Sequence, residues 1–322
     1  MTKLFNSGDE PSKKEEGSEV KASVQSVDAG VKVDDAEVKT EGGGKKWNLS
    51  HLDEEKREKL EKVLLKVEDM FSKDDADIGD IQGFKMPINL VDDVPVNAAY
   101  RKIPPHLYTE VKNYVEDLRT NGWIRESYSS YSSPIVCVRK KNGQMRLCVD
   151  YRALNSKTIP DSQPIPRIQD ILDALGGSQW FSTLDMSKAY HQGYIDERFR
   201  HLTAFITPWT LYEWIRIPFG LRNAPPAFQR FINRTLGDYK GEICEPYLDD
   251  VLTHSKTFDH YLIDLETVLM QLKEHGVKLR AEKCEFAKTE VDALSLERNI
   301  VLILRTMKPL KSFGLLHQTS VK

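Results

Sequence analysis

Two adjacent carboxylates lie inside a segment that otherwise predicts a β-hairpin. Asp249 and Asp250 end the block YLDD, which lies between the apolar residues Ile243 and Val251-Leu252. Asp is disfavoured in strands, and like charges held close together repel, so the pair opposes folding. A turn tolerates one or both, because Asp is a good turn former. Alone, the pair therefore predicts a turn, and a chemical role requires a second feature.

A third carboxylate follows a separate apolar segment. Residues 180–184 predict a strand, and Asp185 comes directly after it. If that strand ends beside the 249–250 turn, three carboxylates converge. Oxygen ligands suit hard divalent cations such as Mg²⁺. Two such ions about 3.5–4 Å apart can activate an attacking hydroxyl and stabilise a departing oxygen in phosphoryl transfer. The sequence therefore raises the hypothesis of a metal-dependent phosphoryl-transfer site.

Composition narrows the class of protein. No apolar run reaches the roughly 18 residues that span a bilayer, so we expect no membrane partner. The net charge of −3 does not indicate a nucleic-acid surface by itself. Four cysteines stand far apart without a C-x-x-C pair, which predicts a reduced intracellular protein rather than a disulfide framework or zinc site. They are Cys137, Cys148, Cys244 and Cys284.

Apolar periodicity predicts an α+β fold of hairpins and helices. Residues 1–46 contain a single aromatic residue and are predicted to be a disordered tail, rich in Lys and acidic residues. Helices are predicted at 53–71, from Pro104 to Thr120, from Ser187 onward, at 223–236 and at 259–275. Strands are predicted at 134–138, 145–150 and 180–184, with a turn at 141–144 and a hairpin at 243–252.

Five sequence blocks, in this order and rough spacing, resemble the reverse transcriptases of gypsy-type long-terminal-repeat retrotransposons. The likeness covers about residues 47–291, and KCEF at 283–286 closes it. The blocks are SPIV at 133–136, LCVDYRALN at 147–155, FSTLDM at 181–186, PFGLRNAP at 218–225 and YLDD at 247–250.

The resemblance implies the fingers and palm of a right-hand polymerase, with an antiparallel palm sheet. Asp185, Asp249 and Asp250 match the metal-binding carboxylates of the family. Two Mg²⁺ ions are the implied cofactors, and Mn²⁺ is an alternative. The implied organisation is a tail at 1–46, an N-terminal helix and lead-in segment at 47–104, fingers and palm at 105–291 and an aberrant tail at 292–322.

The resemblance also implies roles in binding the incoming nucleotide. Tyr190 matches an aromatic gate whose ring leaves no room for a 2′-hydroxyl; taken alone, it would be interpreted as a core aromatic. Lys140, Lys141 and Arg146 flank a hairpin turn where cations can neutralise a triphosphate. A solvated hairpin tip is the alternative for these cations. Phe219-Gly220 matches a loop beside the nucleotide, where Gly allows close backbone approach.

Contacts to template or primer are implied for Arg222, Asn223 and Tyr247. The implied reaction is attack of a primer 3′-hydroxyl on the α-phosphorus of a deoxynucleoside triphosphate, directed by an RNA or DNA template. The expected compartment is the cytoplasm, with the nucleus as an alternative. The sequence leaves the oligomeric state open.

Residues 292–322 depart from the family pattern. The family continues with a primer-gripping strand and a thumb, so the sequence predicts a region truncated after the palm, with the thumb missing. The alternative to an active polymerase is therefore an inactive remnant that binds nucleic acid or protein at most. Ribonuclease H activity is a further alternative, by family association only, because its carboxylate constellation cannot be located here.

Overall fold

The computed structural model describes residues 47–139, 145–293 and 302–304. The α-helices of this part are α1 Glu54–Lys66, α2 Tyr108–Thr120, α3 Arg152–Lys157, α4 Ile168–Ala174, α5 Ala224–Leu236 and α6 Phe258–Glu274. The 3₁₀ helices are Glu68–Met70, Pro105–Leu107, Ala189–Gln192, Glu197–Thr203, Gly237–Tyr239 and Ala281–Lys283.

The strands are short and belong to four sheets. They are β1 Lys85–Met86, β2 Ile124–Glu126, β3 Ser133–Arg139, β4 Met145–Val149, β5 Trp180–Asp185, β6 Tyr194–Ile195, β7 Phe205–Ile206, β8 Leu211–Trp214, β9 Cys244–Tyr247, β10 Asp250–Ser255, β11 Glu285–Lys288, β12 Val291–Ala293 and β13 Leu302–Leu304.

A four-stranded antiparallel sheet, in the order β11-β5-β10-β9, carries the three aspartates. A five-stranded sheet follows the order β2-β8-β7-β3-β4 and contains the antiparallel β3–β4 pair. The two remaining sheets are the pairs β1–β6 and β12–β13. The predicted α+β class and the predicted antiparallel palm sheet are thereby confirmed.

Several predicted elements are confirmed because local signals define both of their ends. Helix α2 buries Val111, Val115 and Leu118, and Gly122 follows it with a left-handed φ of 69°. The predicted hairpin at 243–252 is the β9–β10 pair. Helix α6 begins at Phe258, one residue early, because the Thr257 side chain caps the His260 N–H.

The predicted helix at 53–71 is wrong at its C-terminal end. Asp53 caps α1 as its acidic start suggested, but the α-helix ends at Lys66. Beyond it the backbone pairs with a distant segment: Leu279 donates to the Met70 carbonyl, and Ser72 donates to the Leu279 carbonyl. These non-local hydrogen bonds replace helical ones, so the apolar spacing at 67–71 continues without an α-helix.

The predicted helix from Ser187 is also wrong. Lys188 adopts a left-handed φ of 48°, and only the four-residue 3₁₀ helix Ala189–Gln192 follows. The Ser187 N–H donates to the Lys278 carbonyl, and Met186 bridges to Leu279. The left-handed backbone at Lys188 interrupts the helical φ/ψ values directly after Ser187, so an α-helix cannot start there.

One continuous core joins the N-terminal segment to the antiparallel sheet. Trp47 packs on Phe71 with ring centroids 5.6 Å apart, and Phe71 packs on Phe286 of β11 at 6.3 Å. Helix α6 supplies Tyr261 and Leu265, both fully buried. The aspartate-bearing sheet is therefore supported by α6, which packs on β5 and β10 and is itself covered by α1.

Some predictions concern residues outside the described part of the chain. The disordered tail at 1–46, the turn at 141–144 and most of the tail at 292–322 belong to this group. Across residues 47–139, 145–293 and 302–304, no helix combines the length and apolar character needed to cross a membrane.

Candidate active site

The strand register sets Asp185 opposite Asp250. Asp185 is the last residue of β5, Asp250 is the first of β10, and the two are direct partners in the antiparallel pair. Side chains at such positions share one face of the sheet, with Cβ atoms about 4.5–5.5 Å apart. The sheet therefore brings together two of the three carboxylates that the sequence singled out.

Asp249 lies in the turn between β9 and β10. Its carbonyl accepts a hydrogen bond of 3.1 Å from the Met186 N–H, which ties the turn to the residue after Asp185. Its Oδ1 atom is buried and has no hydrogen-bond partner. A buried carboxylate oxygen without a partner is costly, and such atoms call for a functional explanation.

Burial and mutual repulsion hold both turn carboxyls toward their protonated forms. The pKa of Asp250 is raised to about 7 by burial, and then by the charges of Asp185 and Asp249. Burial also raises the pKa of Asp249, while a hydrogen bond from Tyr190 opposes that shift. Such raised values are typical of functional sites and of carboxylates that a cation would stabilise.

A lysine that had no assigned role at the sequence level contacts this cluster. Lys283 Nζ lies 3.0 Å from Asp185 Oδ2, and Lys283 lowers the pKa of both Asp249 and Asp250. The neighbouring Arg280 N–H donates to the Asp185 carbonyl at 2.9 Å. The KCEF motif contained the signal for Lys283, but only the fold places it beside Asp185.

The carboxylates do not form a closed ligand set in this arrangement. Within the described ranges, no group of three or more His, Cys, Asp or Glu side chains could hold a metal ion as placed. The donor chemistry nevertheless fits a hard divalent cation. Three observations indicate that this site favours positive charge. Asp249 Oδ1 has no hydrogen-bond partner, the pKa of Asp250 is raised, and the Lys283 ammonium contacts Asp185.

Tyr190 lies beside the carboxylates and within an aromatic cluster. The ring is 8% exposed and packs edge-on against Phe219 and Phe228, with centroids 5.3 and 5.7 Å away. Burial raises the pKa of Tyr190, and the Asp249 carboxylate adds to that effect. The ring is therefore both a core aromatic and a neighbour of the reactive groups, so the two interpretations of Tyr190 are compatible.

The loop at Phe219-Gly220 is fixed by a side chain that the sequence did not single out. Gly220 has a φ of 96°, which favours glycine. The Asn155 side chain donates to the Gly220 carbonyl at 2.7 Å and accepts from the Arg222 N–H at 2.8 Å. Phe219 is 37% exposed, so this braced loop presents an aromatic edge next to Tyr190.

The three residues predicted to contact template or primer have partners within the chain. The Arg222 guanidinium donates to the Asn155 and Thr158 carbonyls at 3.3 Å. The Asn223 side chain donates to the Ile159 carbonyl at 2.8 Å. Tyr247 packs against the small apolar cluster Ile171, Leu175, Phe181 and Leu252. Their roles toward nucleic acid stay predictions.

The basic residues predicted to contact the triphosphate lie at or beyond the edge of the described residues. Lys140 and Lys141 lie outside them, and Arg146 is described only as a backbone position in β4, opposite Val138. The antiparallel strands β3 and β4 match the predicted hairpin arms.

The fold is that of the fingers and palm of a right-hand polymerase. The same fold occurs in the foamy viral protease-reverse transcriptase in complex with an RNA/DNA hybrid, with a TM-score of 0.68, 24% identity and coverage of 76% of this chain and 33% of that one. The form of that enzyme in complex with double-stranded DNA, designated dRH, gives a TM-score of 0.68 at 24% identity, covering 76% of this chain and 43% of that one.

Sequence comparison identifies the particular family. Residues 138–297 match the family described as reverse transcriptase (RNA-dependent DNA polymerase). The chain is 36% identical over 253 residues to the retrovirus-related Pol polyprotein from transposon 297 of Drosophila melanogaster, covering 77% of this chain and 24% of the relative. It is 40% identical over 216 residues to the retrovirus-related Pol polyprotein from transposon gypsy of Drosophila melanogaster, covering 64% of this chain and 21% of the relative. The chain therefore carries a reverse transcriptase region related to retrotransposon Pol polyproteins, and it spans about a quarter of those relatives' length.

Proposed function

We propose that this region is an RNA-directed DNA polymerase that adds deoxynucleotides to a primer 3′-hydroxyl. The proposal depends on one observation, the meeting of three carboxylates at one end of the sheet. Asp185 and Asp250 are cross-strand partners there, and the adjacent Asp249 has a buried Oδ1 atom without a hydrogen-bond partner. Three carboxylates at one strand end, with raised pKa values at two of them, suit the stabilisation of charge in phosphoryl transfer.

Asp185 and Asp249 would hold the divalent cations, with Asp250 in support. Two Mg²⁺ ions, or Mn²⁺ in their place, would supply Lewis-acid activation of the attacking hydroxyl and neutralise the departing oxygen. The chain's contribution is to fix the carboxylates through the β5–β10 register, and to exclude water from Asp249 by burial.

Tyr190 and Phe219 would form the surface for the incoming sugar. The Tyr190 ring is held by Phe219 and Phe228, so it cannot turn aside for a 2′-hydroxyl without disturbing the core. The reaction would join the primer 3′-oxygen to the α-phosphorus and release pyrophosphate. We further infer nucleic-acid partners, since the foamy viral enzyme of like fold occurs in complex with an RNA/DNA hybrid and with double-stranded DNA.

Primer extension on an RNA template with Mg²⁺ and deoxynucleoside triphosphates tests the proposal. The chain should extend the primer, and Asp249→Asn should abolish extension. Asp238→Asn, which changes an exposed aspartate between α5 and β9, serves as the matched control and should extend normally. Absence of extension by the folded wild-type chain would contradict the proposal and favour the alternative of an inactive remnant. Degradation of the RNA strand would instead support ribonuclease H.

A further inference from the structure

The turn that carries Asp249 and Asp250 is strained at the residue before them. Leu248 has a φ of 51°, in the left-handed region that favours glycine. Non-glycine residues seldom stay there unless the surrounding structure compels them, and such outliers cluster at functional sites. The surroundings of Leu248 must therefore contain groups that hold this backbone in place.

The side chain of Gln229 on α5 supplies those groups. Its Oε1 accepts a hydrogen bond of 2.8 Å from the Leu248 N–H. Its Nε2 donates to the Pro246 carbonyl and to Asn233 Oδ1, each at 3.0 Å. The side chain is 0% exposed. One carboxamide thus contacts the backbone on both sides of Tyr247 and has partners for both N–H groups.

Helix α5 makes this contact rigid. Its buried face includes Phe228 and Ile232, on either side of Gln229 in the sequence, and both are fully buried. Because the carboxamide is buried, its hydrogen bonds have no competition from water, and losing one would leave a buried polar group unpaired. The backbone of the turn is thereby hydrogen-bonded to a packed helix rather than to solvent.

We propose that Gln229 is a positioning residue that fixes the strained 246–248 backbone and, through it, the places of Asp249 and Asp250 relative to Asp185. The inference rests on the proposed polymerase function for its catalytic consequence. The stabilisation of the turn backbone by Gln229 is independent of that function. Gln229 would touch neither nucleotide nor metal, so it differs from the residues assigned to binding.

Two substitutions separate the hydrogen bonds from the volume of the side chain. Gln229→Met keeps the length and burial but removes every hydrogen bond. Gln229→Glu, which burial favours as the neutral acid, keeps an acceptor for the Leu248 N–H but has only one donor, so it cannot bond both Pro246 and Asn233. Thr235→Val, at a 3% exposed position of the same helix away from the turn, is the matched control.

The first measurement is amide hydrogen exchange of a peptide covering 244–252. Exchange in Gln229→Met should be at least about tenfold faster than in the wild type, with Gln229→Glu between them and Thr235→Val unchanged. The second measurement is steady-state extension. Here kcat should fall roughly 10- to 100-fold in Gln229→Met, while KM for the nucleotide stays within about threefold.

Unchanged exchange in Gln229→Met would overturn the inference, as would a fall in kcat no larger than that of Thr235→Val. An inactive wild type would contradict the polymerase proposal alone, because the exchange comparison would still decide whether Gln229 holds the turn. If Gln229→Met does not fold, Gln229→Glu decides the matter by the same exchange measurement.

Discussion

The ammonium of Lys283 lies 3.0 Å from Asp185 Oδ2, so a cation of the chain itself contacts the carboxylate that faces Asp250 across the sheet. Lys283 is 58% exposed, which keeps this ion pair modest in energy. Its charge still lowers the pKa of Asp249 and Asp250. The lysine is therefore placed to compete with any other cation that approaches these carboxylates.

Lys283→Met should tighten the binding of Mn²⁺ to the chain. Removing the positive charge makes the potential at the carboxylates more negative. We expect a gain of roughly two- to fivefold in affinity, because an exposed ion pair contributes up to about 1 kcal/mol. Calorimetric titration with Mn²⁺ alone measures it. Lys59→Met, which removes an exposed Lys–Glu pair on α1, should leave the affinity unchanged. Weaker binding by Lys283→Met would show that the lysine supports the cation site.

Asp250→Asn should stabilise the metal-free protein increasingly as pH rises. The pKa of Asp250 is raised from 3.8 to about 7 on folding. Its contribution to stability is therefore fully present below about pH 4 and is lost as pH rises through 7. The increase in the free energy of unfolding caused by Asp250→Asn should be roughly 1–3 kcal/mol larger at pH 8 than at pH 5.

Urea unfolding with a chelator present, at both pH values, measures this difference. Asp238→Asn, which removes an exposed aspartate, is the control. A gain from Asp250→Asn that is equal at the two pH values would contradict the raised pKa.

Two substitutions of Tyr190 should distinguish the role of its ring from the role of its hydroxyl. Tyr190→Ala removes the ring, so the preference for deoxyribonucleotides over ribonucleotides should fall roughly 10- to 100-fold, the range set by a changed pocket. Tyr190→Phe keeps the ring and the preference. It also removes the hydrogen bond that lowers the pKa of Asp249, so the acidic limb of the pH–rate profile should move to higher pH. Single-nucleotide incorporation kinetics test both variants, and an unchanged preference in Tyr190→Ala would reject the steric role.

Gly220→Ala should destabilise the fold, whereas Gly83→Ala should not. At Gly220 a Cβ would have ordinary contacts, the nearest at 3.6 Å, but the φ of 96° strains any L-residue. The expected loss is about 1–2 kcal/mol of unfolding free energy. Gly83 has open space around an added Cβ. Urea unfolding compares the two, and equal effects would mean that the loop relaxes to a negative φ.

Local sequence patterns determined much of the fold. The apolar stripes of α2 and α6, with Gly122 after α2, were sufficient to predict those helices, because the signals lie within or next to the elements themselves. The YLDD block and the strand ending at Asp185 likewise identified the carboxylates. The three carboxylates raised the hypothesis of metal-dependent chemistry, and the five ordered sequence blocks carried the family resemblance.

The tertiary structure alone decided which groups meet. Pairing with Leu279 ended the α-helical run before Phe71, and the left-handed backbone at Lys188 prevented an α-helix from Ser187. The β5–β10 register set Asp185 opposite Asp250, and Gln229 and Lys283 reached the site from distant parts of the chain. Backbone hydrogen bonds between distant segments outweigh a local helical preference of a few tenths of a kcal/mol per residue, so no local pattern can contain this information.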